Sequence, residues 1–124
     1  MIVALGADII EVSRVQGVWE RAGWRFLHRV FTPTELVYCL TKADPAPSLA
    51  VRFAAKEAFQ KCFPSMHAWK DVSVQFDGPK PILCYSPRLA EEMKTRRWRA
   101  HVSLSHSRGN ALAVVVLETD QENP

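Results

Sequence analysis

Apolar positions recur with two different periods along this 124-residue chain. Residues 2–7, Ile-Val-Ala-Leu-Gly-Ala, form a near-continuous apolar run that predicts a buried strand. Helical spacing over 9–22, stopped by Gly23, predicts a first helix. Thr32-Pro33-Thr34-Glu35 is a helix start, because Thr32 can cap, Pro33 suits the first turn and Glu35 completes a capping box. That helix is expected to reach residue 40. Residues 42–48 carry Pro45 and Pro47 and are expected to form a mobile loop. A long central helix follows over 49–63, built of good helix formers without internal Gly or Pro. Residues 72–76 and 82–85 read as a hairpin joined through Asp77-Gly78-Pro79-Lys80-Pro81. Residues 88–97 read as a surface helix, and 101–105 with 111–117 as a second hairpin around Arg108-Gly109-Asn110. Strands paired in hairpins and mixed with helices predict an α+β fold, a small antiparallel sheet packed with the long central helix. The whole of 1–124 reads as one domain.

The central helix carries the most informative charges. At about 100° per residue, Glu57 falls in the arc shared by Ala50, Phe53, Ala54 and Lys61. Most of the remaining wheel is Val51, Ala55, Ala58, Phe59 and Cys62, and only a narrow stripe near Arg52, Lys56 and Gln60 looks suited to water. Glu57 and Lys61, one turn apart, therefore need specific partners: each other, or a metal ion and an anion.

Composition narrows the picture. An apolar fraction of 48% supports a packed core, and a net charge of +3 permits an acidic partner without requiring one. Arg14, Arg21, Arg25, His28 and Arg29 gather early, while the chain turns acidic after residue 117. Cys39, Cys62 and Cys84 have neither metal-ligand spacing nor an even count, so the expected compartment is reducing, and the cytoplasm is the expected location. No apolar stretch has membrane-spanning length, so no membrane association is expected. The first residues lack a secretory signal's basic region and cleavage site and read as a strand of the mature fold.

Several side chains then stand out as candidates for chemistry. Asp8 ends the first predicted strand. Asp8-Ile9-Ile10-Glu11 fits a capping box, and Asp8 can equally pair in space with Glu57 as a hard carboxylate ligand for Mg²⁺. His106 ends the strand 101–105 and shares a face with Val102 and Leu104. It reads as a structural histidine, a donor to a phosphate oxygen or a proton carrier. Ser105 and Ser107 flank it without a readable Ser-His-Asp order. Arg14, Val18, Arg21 and Arg25 make one stripe if the first helix continues past Gly23. Such a stripe is a solvated face or a docking strip for an acidic helix. No nucleic-acid motif is present, and Trp19, Trp24, Trp69 and Trp98 are too scattered for a stacking platform.

Three blocks together resemble the holo-[acyl carrier protein] synthase family, the small 4′-phosphopantetheinyl transferases. They are Gly6-Ala7-Asp8-Ile9-Ile10-Glu11, then Arg52-Phe53-Ala54-Ala55-Lys56-Glu57-Ala58-Phe59-Gln60-Lys61, then Val102-Ser103-Leu104-Ser105-His106-Ser107. The resemblance implies transfer of the phosphopantetheine arm of coenzyme A to a serine of apo acyl carrier protein, releasing adenosine 3′,5′-bisphosphate. It implies a place in fatty acid biosynthesis. It assigns Asp8 and Glu57 to Mg²⁺, and Lys61, His106 and Ser107 to the coenzyme A phosphates, with Asp8, Glu57 and Lys61 as the catalytic set. Arg52 and Lys56 become further nucleotide candidates, and Arg14, Val18, Arg21 and Arg25 the acyl carrier protein strip. It also implies a homotrimer with sites between subunits. The stretch Cys62-Phe63-Pro64-Ser65-Met66-His67-Ala68-Trp69 replaces the family's glycine-rich turn, and Asp77-Gly78-Pro79-Lys80-Pro81 has an extra proline. Two other readings compete: a noncatalytic basic module binding RNA or acidic proteins, with Glu57–Lys61 as a structural ion pair, and a small Mg²⁺-dependent phosphohydrolase.

Overall fold

The structure, a computed structural model, describes residues 1–63 and 67–121. Strand β1 (Ile2–Glu11) leads directly into helix α1 (Val12–Ala22), followed by α2 (Trp24–Val30), α3 (Pro33–Leu40) and the long α4 (Ala46–Cys62). A 3-10 turn (Trp69–Asp71) opens the hairpin β2 (Val72–Asp77) and β3 (Lys80–Tyr85). Helix α5 (Pro87–Arg96) precedes the hairpin β4 (Trp98–His106) and β5 (Asn110–Thr119). The predicted α+β class holds. All strand pairs are antiparallel, in a three-stranded sheet of order β1-β5-β4 and a separate β2-β3 pair.

Strand β1 turns one face to the core and one to solvent. Gly6, Asp8 and Ile10 face inward, opposite buried Val115, Ala113 and Ala111 of β5. Val3, Leu5 and Ile9 stand on the outer face and are exposed. Helix α4 lies across the inner face, where Leu49, Ala50, Ala54, Ala55, Ala58 and Phe59 are fully buried. Its alanines allow a close approach, and Gly6 of β1 lies against them. A Cβ on Gly6 would stand 2.2 Å from the Ala58 carbonyl oxygen and 2.8 Å from Cys62 Sγ.

Four expectations need correction. Strand β1 runs three residues past Asp8, because the β5 ladder continues as far as the Glu11–Asn110 pair. Asp8 is therefore no helix cap; Glu11 holds the N-cap position of α1 without a side-chain cap bond. The two prolines of 42–48 do not exclude helix. Pro45 is the N-cap and Pro47 sits in the first turn, where a missing N–H breaks no helical bond. Gly23, at φ 57°, ends α1, and the chain restarts as α2, so Arg25 does not continue the stripe of Arg14 and Arg21. Finally, the stripe of Arg52 and Lys56 is not solvated, because α3 and the β2–β3 hairpin cover it and leave each residue 2% exposed.

Candidate active site

The inward pleat of β1 and the wheel of α4 bring Asp8 and Glu57 to one cavity. It encloses about 240 Å³ and is lined also by Arg14, Val15, Val18, Phe26 and Phe53. Burial lifts the Glu57 carboxyl above its ordinary value, and the nearby Asp8 charge adds to the effect; Lys61 and Arg14 pull it back. Lys61 does not pair with Glu57. Its Nζ donates to Asp8 Oδ1 at 3.2 Å and to the Ala7 carbonyl at 2.8 Å, while the side chain keeps about half its exposure. Among the described residues Glu57 has no ion-pair partner within 4.0 Å. The structural Glu57–Lys61 pair is thus absent. A free carboxylate next to a second carboxylate, within reach of an exposed ammonium, is an arrangement that a divalent cation and an anion together would neutralise.

A second cavity, of about 260 Å³, opens on the other flank of α4. Arg52 and His106 both line it, with Tyr38, Ser48, Phe76, Pro79, Pro81 and Leu104. Arg52 and Glu57 are five residues apart, which places them about 140° apart round the helix axis. His106 pairs with Ala111 on the inner face of the sheet, as the alternation from Val102 predicts. The Arg52 guanidinium lies 4.5 Å from the Tyr38 ring and 5.5 Å from the Phe76 ring, beside two rings that stack on each other at 6.0 Å. One of its nitrogens donates to the Ser48 carbonyl at 3.2 Å, and its buried Nε has no hydrogen-bond partner. Ser107 lies beside His106 but is occupied by the β4–β5 turn. Its N–H donates to the Asn110 carbonyl at 2.9 Å, and its Oγ accepts from the Asn110 N–H at 3.2 Å.

Lys56 takes no part in either cavity. Its Nζ is enclosed, donating to Glu35 Oε1 at 2.8 Å and to the carbonyls of Trp69 and Val72 at 3.1 and 2.5 Å. Burial pulls its ammonium below the ordinary lysine value, and the Glu35 charge pushes back. The expectation that Lys56 contacts nucleotide is therefore corrected: all three of its donors are used inside the protein. The residue that sequence reasoning missed is Glu35, read only as part of a capping box. That box exists, with Glu35 N–H donating to Thr32 Oγ1 at 3.3 Å and Thr32 N–H to Glu35 Oε1 at 3.0 Å. The available signal was Lys56 itself, a lysine within an apolar helix that calls for an acid elsewhere.

Arg14 and Val18 of the stripe reach the first cavity, beside Asp8 and Glu57. Arg21 continues along exposed α1, its guanidinium close over Gly17. Arg25 is exposed on α2.

Two hard carboxylates, exposed cations and a recess lined by Arg52 and His106 gather around one helix of this small α+β protein, an arrangement suited to a phosphate ester. Comparison with known proteins makes this specific. Residues 4–116 match the family model described as the 4'-phosphopantetheinyl transferase superfamily, and the chain belongs to that family. It is 52% identical over 118 residues to a holo-[acyl-carrier-protein] synthase of Thermus thermophilus, covering 95% of this chain and 94% of the relative. Its fold is similar to the crystal structure of the Neisseria meningitidis holo-[acyl-carrier-protein] synthase, with a TM-score of 0.89 and 31% identity over 96% of this chain and 100% of that one. It is also similar to a Bacillus anthracis holo-(acyl-carrier-protein) synthase solved in complex with CoA (3',5'-ADP), with a TM-score of 0.81 and 32% identity over 97% and 99% of the two chains.

Proposed function

We propose that this protein transfers the 4′-phosphopantetheine group of coenzyme A to a serine of apo acyl carrier protein, releasing adenosine 3′,5′-bisphosphate. One observation carries the reading: Asp8, Glu57 and Arg14 converge in a single cavity, with Lys61 on Asp8, in a chain of this family.

The reaction asks for little covalent work from the protein. The serine oxygen attacks the pantetheine-bearing phosphorus, the bond to the bridging oxygen breaks, and the nucleotide leaves with its 5′-phosphate. The obstacle is negative charge around the phosphorus, so fixed positive charge and alignment dominate. The donor set fits Mg²⁺. Asp8 and Glu57 supply two hard oxygens, and the described residues offer no cluster of three or more His, Cys, Asp or Glu to complete a protein cage. Asp8 and Glu57 would hold the ion, and among the described residues they are the only carboxylates that line the cavity. When bound, Mg²⁺ supplies charge neutralisation at the diphosphate. Lys61, exposed on a flexible stem, turns its ammonium to the same group. Arg52 and His106 fit a separate anionic group on the nucleotide, with Tyr38 and Phe76 as aromatic walls. Ser107 holds the turn that presents His106. Arg14, Val18 and Arg21, with Arg25 on the neighbouring helix, receive the acidic carrier. Because Arg14 and Val18 share the cavity of Asp8 and Glu57, a carrier seated there brings its serine to the metal side.

The two cavities share no lining residue and lie on opposite flanks of α4. A single chain thus offers each half of a donor site to a different side. The outer face of the three-stranded sheet is apolar, with Leu5 at 67% and Ile9 at 66% exposure beside Val3 and Leu112. Both facts support a homotrimer in which one subunit's Asp8 and Glu57 meet the neighbour's Arg52 and His106. No helix among the described residues is long and apolar enough to cross a membrane, and Cys39, Cys62 and Cys84 are free thiols, which fits a cytoplasmic enzyme.

Incubating the protein with coenzyme A, Mg²⁺ and apo carrier, then weighing the carrier, tests the proposal. The carrier is expected to gain one phosphopantetheine only when all components are present. Nucleotide release without a heavier carrier would indicate the phosphohydrolase, and salt-sensitive RNA binding without coenzyme A affinity the basic binding module.

A further inference from the structure

Among the described residues, the Glu35–Lys56 ion pair is a charged cluster in the core that the transfer scheme leaves unused. Its bonds are directed to four separate pieces of chain. Lys56 on α4 reaches Glu35 on α3 and the carbonyls of Trp69 and Val72, which flank the start of β2. Glu35 Oε1 also accepts from the Thr32 N–H at 3.0 Å, and Oε2 accepts from the buried Val74 N–H at 2.9 Å. Every donor of the ammonium and both carboxylate oxygens are used. A buried ion pair adds little net stability, because desolvation offsets the attraction, and two apolar side chains of similar volume would fill the same space. What apolar side chains cannot reproduce is direction. Lys56 fixes the azimuth of α4 at the residue before Glu57, and one turn after Arg52. The Val72 and Val74 bonds fix the β2–β3 hairpin, whose Phe76, Pro79 and Pro81 wall the Arg52–His106 cavity.

We infer that Glu35 and Lys56 form a positioning pair for the transfer reaction, clamping α4 against the hairpin so that Glu57 on one flank and the Arg52–His106 recess on the other are held in register. The inference rests on the function proposed above. The pair touches neither substrate; it acts through Glu57 and through the hairpin.

The test is a double-mutant cycle of Glu35→Gln, Lys56→Met and the combined variant. Coenzyme A affinity is measured by calorimetry without carrier, and kcat, KM and the Mg²⁺ concentration for half-maximal rate are measured on protein shown to be folded. Each single variant is expected to weaken coenzyme A binding and raise the Mg²⁺ requirement, with kcat/KM falling about 10- to 100-fold. The combined variant is expected to be no worse than the worse single one, because the two residues act as one unit. Additive losses, or a loss in Lys56→Met with none in Glu35→Gln, would mean that Lys56 meets the donor directly and would overturn the inference. Lowered melting temperature with unchanged kcat, KM and coenzyme A affinity would overturn it too, leaving the pair as core filling. If Lys56→Met fails to fold, Glu35→Gln carries the test alone, since glutamine still accepts from the Val74 N–H; it must then move both half-saturations by itself. Wild-type protein in the same assay separates this inference from the proposed function: no transfer there would sink the latter.

Discussion

Gly6 shows how one missing carbon sets the spacing of the site. Its Cα faces the Ala58 carbonyl, a backbone atom that cannot swing aside, and Cys62 Sγ. The residue two positions on in β1 is Asp8, and the residue before Ala58 is Glu57. Gly6→Ala would push the strand from the helix and part the two carboxylates. The expected stability loss is about 1–3 kcal/mol, read from urea unfolding, with a larger proportional loss of transfer rate in the fraction still folded. Glu57→Gln separates folding from metal dependence in another way. Burial and the Asp8 charge raise the carboxyl's pKa in the fold, so ionised Glu57 opposes folding at neutral pH. The glutamine variant should therefore melt no lower than wild type without metal, yet transfer nothing. Mg²⁺ should raise the wild-type Tm and leave the variant's unchanged. The candidate site residues Asp8, Glu57, Lys61 and His106 were readable as types at particular positions, and the structure brings Asp8, Glu57 and Lys61 together. The environment of Arg52 and Lys56 was not, because a helical wheel ranks faces by the helix's own residues. The solvated-looking stripe became interior only because α3 and a hairpin more than ten residues away in sequence cover it.

At the scale of elements, α1 is a rod that begins at the carboxylates and points its arginines outward. Arg21 lies beyond the cavity that Arg14 reaches, which makes it the cleaner probe of carrier docking. Arg21→Glu should raise KM for the carrier by about tenfold, while coenzyme A affinity stays as it was; the rise should shrink at high salt. Equal loss of both substrates would remove the docking role of this helix. The joint between the 3-10 turn and α5 depends on Asp71, whose carboxylate accepts from Ser86 Oγ at 2.7 Å, the Ala68 N–H at 2.8 Å and Arg88 at 2.6 Å. Burial works against its charge, but these bonds outweigh it and hold the pKa below the ordinary carboxylate value. Its contribution is present above the unfolded-state pKa of about 3.9 and is lost as pH falls through the lower folded value. Asp71→Asn should lower the urea midpoint at pH 7, and the gap from wild type should close on acidification below that range. Most element boundaries were legible from period, caps and turns. The boundaries that shifted, at Asp8 and at Pro45–Pro47, are places where a local signal yields to a neighbour; at Gly23 the expected stop held, and what went unread was the new helix beyond it. The β5 ladder extends β1, helix-start tolerance admits two prolines, and a positive-φ glycine lets one helix give way to another.

At the scale of the whole molecule, the α+β class and antiparallel pairing followed from hairpin spacing, whereas the division of the Asp8–Glu57 and Arg52–His106 cavities between the flanks of α4 did not. That division depends on register: Asp8 and Leu104 both align with Ala113, and Ile10 and His106 with Ala111, so the acid and the histidine lie two strands apart, roughly 10 Å across the sheet and two residues out of line, with β5 between them. A head-to-tail ring satisfies this geometry, since each contact joins the β1 side of one chain to the β4 side of the next. Two crippled proteins should then repair one another. Chains bearing Glu57→Gln and chains bearing His106→Ala, each nearly inert alone, should regain activity after being unfolded and refolded as a mixture. In random reassembly roughly a quarter of the junctions inherit an intact acid from one parent and an intact histidine from the other. Mixing without reassembly should restore nothing, and failure of both procedures would place the complete donor pocket within a single polypeptide.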